Sequence, residues 1–258
     1  ASFIENHTLP AEVPLTSKPE KYKLTDHLPN SFWGEFGLLY GRFRKIYFRE
    51  TRVIIFEVTQ AILLSLLIAF VYFQLDTTSK DAIYTIGLFY FITSAVFTTI
   101  GIPASSNFSG DSIFFVRERA AGSYRMFTAY LAKYGHVTPY STGLMFLFAI
   151  PIYFISGLAM PFYKLIAYLG VLLALRMFGL TLRICFTATF KAAGALAVVM
   201  PFMIIFFILF GDLSGEPGQV TWILAWIKYL TPLYYAVQAL VQNQFAGETY
   251  QSDMNPNL

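Results

Sequence analysis

Five stretches of this chain are each long and apolar enough to cross a lipid bilayer, and nothing else in the sequence restricts the fold as much. An α-helix rises ~1.5 Å per residue and the hydrocarbon layer is ~30 Å thick, so a span needs about 20 apolar residues. The runs cover residues 54–75, 82–102, 130–158, 162–190 and 192–213. The second is expected to continue past Pro103 as a kinked extension, and Pro139 and Pro151 interrupt the third. Only 13% of residues are charged while 56% are hydrophobic, and mean hydropathy is +0.57. Soluble domains carry about 25% charged residues, so a soluble globule and a disordered chain are excluded. The single cysteine, Cys185, rules out an internal disulfide scaffold and gives no hint of redox compartment. The class is an all-α, multi-pass membrane protein.

A sixth apolar stretch, 221–241, is broken by Lys228 and by Thr231-Pro232. It is too interrupted to span, and residues 221–245 read as a re-entrant or interfacial hairpin of two short helices. Orientation follows from the cations. Eight of the 18 basic residues precede the first span; Lys80 alone lies in the next loop; Arg117, Arg119, Arg125 and Lys133 follow span two. Lys164 is alone in the loop after span three, and the segment after span five carries Asp212, Glu216, Glu248 and Asp253 against Lys228. The alternation predicts a cytosolic N-terminus and an external C-terminal tail, with 246–258 opening an extracellular loop.

Residues 1–30 hold Pro10, Pro14, Pro19 and Pro29 among polar residues and read as an extended cytosolic linker. Residues 31–52 are amphipathic at helical period. Phe32, Phe36, Leu39, Tyr40, Phe43 and Tyr47 share one face; Arg42, Lys45, Arg49 and Arg52 lie opposite. The expectation is a helix in the membrane plane, with rings in the acyl boundary and cations toward anionic headgroups, or else a helix packed on a soluble partner domain. The sequons at Asn6 and Asn107 are read as chance. The chain starts at Ala1 with no cleavable signal, which reads as a piece of a longer chain or a processed product.

Chemistry is mostly sought and not found. A helix-borne zinc motif, a nucleophile elbow and a phosphate loop are absent from the sequence, and His7, His27 and His136 are scattered. The informative stretch is Arg117-Glu118-Arg119-Ala120-Ala121-Gly122-Ser123-Tyr124-Arg125, charges of alternating sign on a short helix just inside the membrane. It is either a solvated turn or a docking knob for a cytosolic partner.

That run, followed by Tyr130-Leu131-Ala132-Lys133, resembles the ABCG (white/pigment-type) half-transporters. Three further features fit: Phe32-Trp33-Gly34-Glu35-Phe36 ahead of basic residues, Val71-Tyr72-Phe73 ending span one, and Trp226-Ile227-Lys228-Tyr229-Leu230-Thr231-Pro232 leading to Gln242-Asn243-Gln244-Phe245. The likeness covers about residues 30–250, in order. It implies a type-2 ABC exporter permease fold: an amphipathic connecting helix, five transmembrane helices over 53–220 with a cytosolic elbow helix at 112–125, and the re-entrant hairpin. Two departures stand out. The family's ATP-binding cassette is not in this chain, and neither is its sixth membrane helix. Leu213-Ser214-Gly215-Glu216 looks like a cassette signature loop but follows span five with no phosphate loop to partner it.

The resemblance implies a dimer of half-transporters, homo- or heteromeric, around a cavity for a hydrophobic small molecule or lipid. ATP and Mg would sit on the cassette, with no cofactor, catalytic site or nucleic-acid partner in this chain. The intact parent would be an ATP-hydrolysing translocase in the plasma membrane or an internal membrane. Arg117, Glu118, Arg119, Tyr124 and Arg125 would couple to the cassette, with Glu118 foremost. Phe89, Phe91 and Phe97 on span two, with Met203, Phe206 and Phe207 on span five, are the cavity candidates. Their rings suit flat apolar substrates. A different class is a non-pumping membrane subunit that scaffolds a larger complex.

Span four carries Arg176 and Arg183, seven apart and so on one face. A mid-bilayer Arg costs at least ~2.5–3.5 kcal/mol on insertion scales. Arg183 lies at the depth of Glu57 on span one and is expected to pair with it. Arg176 has no acid at its own depth, leaving backbone carbonyls, snorkelling, a partner subunit or an anionic ligand.

Overall fold

The computed structural model describes residues 31–75, 79–98, 118, 124–158, 161–189, 201–202, 205–207 and 227–247. Its helices are α1 (Phe32–Arg49), α2 (Thr51–Val71), α3 (Ser79–Thr98), α4 (Met126–Ile155), α5 (Phe162–Thr189) and α6 (Pro232–Phe245), with a 3-10 turn at Ile227–Leu230 before α6. No β-strand occurs among the described residues. Stretches within α2, α3, α4 and α5 are long and apolar enough to cross a membrane. The expected fifth span, the linker, the elbow apart from Glu118, Tyr124 and Arg125, and the tail fall largely or wholly outside the described residues.

Each helix is placed by the face it buries. On α2 the inward residues are Ala61, Ser65, Ile68 and Ala69. Small side chains at a spacing of four let another backbone come close, as helices in lipid require. α4 takes that place, bringing Met145, Phe148, Ala149 and Ile152 into one core with α2, α3 and α5. The opposite side of α2 exposes Ile55, Phe56, Leu63, Leu67 and Phe70, a surface suited to acyl chains.

Pro151 lies inside α4 and removes one ladder donor. The carbonyls just before it are met from neighbouring helices: Ser65 Oγ donates to Phe148 O at 2.8 Å, and Tyr168 of α5 donates to Ala149 O at 3.3 Å. The far ends of α2 and α4 are also tied. Gln74 N donates to Ile155 O, and Leu75 N to Ser156 O. Gly157 turns the chain there with φ +71°, a conformation open mainly to glycine.

Of the expected hairpin over 221–245 the described part is a short 3-10 turn followed by α6, with Pro232 in its first turn; its first arm lies largely outside the described residues. α6 packs on α3 and α5. Its first turn puts Leu233 and Ala236 among Phe97, Leu175 and Phe207. Its far end meets the start of α5, where Lys164 Nζ donates to Gln244 O at 3.0 Å and Asn243 Nδ2 donates to Lys164 O at 2.9 Å. From Lys164 to Leu175 the axis of α5 rises about 16 Å, roughly half the bilayer. α6 therefore climbs from mid-depth back to the face where α5 begins.

Candidate functional site

The chemistry expected beneath the membrane helices gathers where α1 crosses the first half of α4. Leu39 and Phe43 of α1 pack on Tyr124, Ala129 and Ala132. Further along, the Tyr47 ring lies 4.8 Å from that of Tyr140 and 5.5 Å from His136. The ring face of α1 is thus covered by α4. This corrects the expectation of rings sunk in the acyl boundary: the aromatic stripe meets a helix of its own chain. Lys133, also buried, places its ammonium 5.7 Å from the centre of the Phe43 ring.

Two ion pairs join α1 to the segment leading into α4. Arg42 Nη2 lies 2.8 Å from Glu118 Oε1, and the Tyr124 hydroxyl donates to Glu118 Oε2 at 2.6 Å. Arg125 Nη1 stands 3.9 Å from Glu35 Oε2. The hydrogen bond from Arg42 holds the Glu118 carboxyl below its ordinary range, with Tyr124 helping and partial burial opposing. Of the coupling candidates, then, Glu118, Tyr124 and Arg125 are brought together, with both carboxylate oxygens of Glu118 engaged inside the chain. Arg117 and Arg119 lie outside the described residues.

Glu35 was not singled out by sequence reasoning, although it is only 4% exposed. Its signal was available: an acid one turn before Leu39 falls on the face that packs, and a buried carboxylate needs a cation.

Glu57 and Arg183 do not pair, contrary to expectation. Glu57 accepts a 2.5 Å hydrogen bond from the Tyr47 hydroxyl, which fastens the end of α1 to the second turn of α2. Burial, with the Glu57 carboxylate adding to it, pushes the Tyr47 phenol far above its ordinary range. Arg183 Nη2 donates instead to the carbonyls of Phe97 and Thr98, the latter at 2.9 Å. Both are backbone carbonyls of α3, and a buried guanidinium that donates to them makes charge-assisted hydrogen bonds. Arg176 is 1% exposed, so it does not snorkel, and its Nε and Nη2 have no hydrogen-bond partner among the described residues.

The cavity candidates divide. Phe97, Phe206 and Phe207 meet: Phe97 and Phe207 stand edge to face at 5.5 Å, Phe206 adjoins Phe207 at 5.9 Å, and Arg183 lies 5.9 Å from the Phe97 ring centre. Phe89 is 1% exposed in the core among α2, α3, α4 and α5, and Phe97 and Phe207 are buried in a second core cluster. Phe91 turns the other way, 53% exposed, against Tyr72 and Tyr90. One helix cannot point residues two apart the same way, which is why 89 and 91 separate. Met203 lies outside the described residues.

The family model described as ABC-2 type transporter matches residues 34–245. The chain is 24% identical over 250 residues to ABC transporter G family member 4 of Arabidopsis thaliana, covering 93% of this chain and 42% of that protein. It is 24% identical over 225 residues to ABC transporter G family member 5 of Oryza sativa subsp. japonica, covering 85% and 28%. An ABC multidrug transporter G of Aspergillus fumigatus is 25% identical over 252 residues, covering 92% and 18%. The chain thus spans less than half the length of each of these relatives.

Proposed function

The chain belongs to the ABC-2 type transporter family, and from that premise we propose that it works as the membrane half of a G-family, ATP-driven exporter of hydrophobic compounds such as lipids or sterols. ATP and Mg are assigned to a cassette outside the described structure, and a second half-transporter completes the pathway.

The observation that carries the reading is the Glu118 carboxylate, bound at once by Arg42 of α1 and by Tyr124 before α4. A push on the elbow reaches α1 through these bonds and through Arg125–Glu35. From α1 it passes to α4 by packing and to α2 by the Tyr47–Glu57 bond. The two spans with the closest mutual packing therefore receive it together. The Phe97, Phe206 and Phe207 rings gather against α5 and the start of α6, and such rings suit an apolar passenger.

In the intact transporter, Glu118→Ala is expected to leave ATP hydrolysis running while transport falls. Transport in proteoliposomes unchanged per ATP hydrolysed would refute the coupling role.

A further inference from the structure

Two buried, oppositely charged side chains each keep a polar edge without a partner among the described residues: Glu57 Oε1 on α2, and Nε with Nη2 of Arg176 on α5. Nε and Nη2 form one side of the guanidinium plane, an edge that fits both oxygens of a carboxylate. Sequence reading found no acid at the depth of Arg176, but the packing supplies one.

Ser65 of α2 and Tyr168 of α5 donate to the carbonyls of Phe148 and Ala149, adjacent residues of α4. α2 runs in the same sense as α4, because Gln74 and Leu75 are tied to Ile155 and Ser156, and α5 returns the other way. Glu57 lies eight residues before Ser65 and Arg176 eight after Tyr168, so both stand about 12 Å from that level toward α1. Two other contacts give the same register. Leu180 packs with Val137, which sets Arg176 level with Ser141, one turn further on. Glu57 bonds Tyr47, whose ring lies against Tyr140. A spacing of four turns both groups inward, Glu57 with Ala61 and Ser65, Arg176 with Tyr168 and Leu172, all of them buried. The charge of Glu57 acts on the Arg176 guanidinium, yet its Oε2 is given to the Tyr47 hydroxyl.

While α1 is packed on α4, Tyr47 holds this acid. With α1 drawn off, both oxygens of a buried carboxylate would be unmet, a costlier outcome than pairing with the nearby cation. We propose that Glu57 is a two-position latch: it holds Tyr47 of α1 in the arrangement seen here, and turns to the Nε–Nη2 edge of Arg176 when α1 is drawn away. Release of α1 from α2 thereby clasps α2 to α5. The latch rests on the transporter reading only for the force that moves α1.

The test is a substitution cycle read by thermal unfolding of the full chain in detergent. Arg176→Met alone should raise the melting midpoint. In a Tyr47→Phe chain, which keeps the ring and loses the hydroxyl, Arg176→Met should lower it by at least about 2–4 °C, because a buried pair is then broken. Adding Glu57→Met to Tyr47→Phe should restore the rise. An effect of Arg176→Met with the same sign in the native and Tyr47→Phe chains overturns the latch. A second measurement takes the intact transporter with a non-hydrolysable ATP analogue. Hydrogen exchange at residues 45–49 should quicken about tenfold in the native protein and much less in Arg176→Met. Should Tyr47→Phe not fold, this comparison decides, and equal quickening in both proteins overturns the latch. A reversal of sign without any response to the analogue leaves the latch standing and refutes the coupling reading instead.

Discussion

Removing the Glu118 carboxylate should free the elbow from α1 at a cost of about 2–3 kcal/mol, most of it lost through Tyr124. The Arg42–Glu118 pair is short, but its side chains are 47% and 28% exposed. Such a pair contributes about 0.2–1 kcal/mol and weakens in salt. The Tyr124 hydroxyl is different, since its residue is buried and the 2.6 Å bond goes to an ionised acceptor, the kind that contributes ~1.5–3 kcal/mol. Arg42→Gln should therefore cost less than Tyr124→Phe, and Glu118→Ala more than either. Hydrogen exchange of the amides in α1 and around residue 118, corrected for intrinsic rates, reads the local opening free energy. The pH response has a definite sign. The folded carboxyl titrates below its ordinary value of 4.5, chiefly because of the hydrogen bond from Arg42. Its contribution is therefore complete above 4.5 and fades as pH falls through the lower folded value. Opening should rise in that acid window in the native chain and show no such step in Glu118→Ala. A loss in Arg42→Gln equal to that in Glu118→Ala, with Tyr124→Phe silent, would refute this division.

Three further outcomes follow from two buried arginines and one turn glycine. Arg176→Met should raise thermal stability in detergent by about 1–3 kcal/mol, because it removes a desolvated guanidinium with unmet donors; a loss would mean the cation has a partner. Arg183→Met should lower stability by about 1.5–3 kcal/mol, since the Phe97 and Thr98 carbonyls lose a charged donor; an unchanged melting curve would refute a stabilising role for these bonds. Gly157→Ala should cost about 1–2 kcal/mol from its positive φ alone, because the added carbon would meet nothing closer than 3.5 Å; urea titration showing no loss would mean the turn relaxes.

The spans were legible because apolar length is a local property. Runs expected at 54–75 and 162–190 became helices at Thr51–Val71 and Phe162–Thr189. The break at Thr231-Pro232 was legible for the same reason, as proline opens α6. Partners of the buried charges were not. Matching charges by depth gave Arg183 to Glu57, but the backbone carbonyls of a neighbouring helix are partners that no sequence pattern displays, and a tyrosine on α1 took the acid. The aromatic stripe of α1 was visible, yet periodicity says only that a face is covered, never by what. Phe89 and Phe91 point to different sides of α3 because composition, not helical phase, had selected them.

The lock between Lys164 and the end of α6 makes those two helices a single lever. Lys164 is 1% exposed and bonded in both directions, so it resists sliding of one helix on the other. Any tilt of α5 must then swing the tip of α6, with Leu233, through the rings of Phe97 and Phe207. A rocking motion of one rod becomes a sideways sweep at the centre of the membrane.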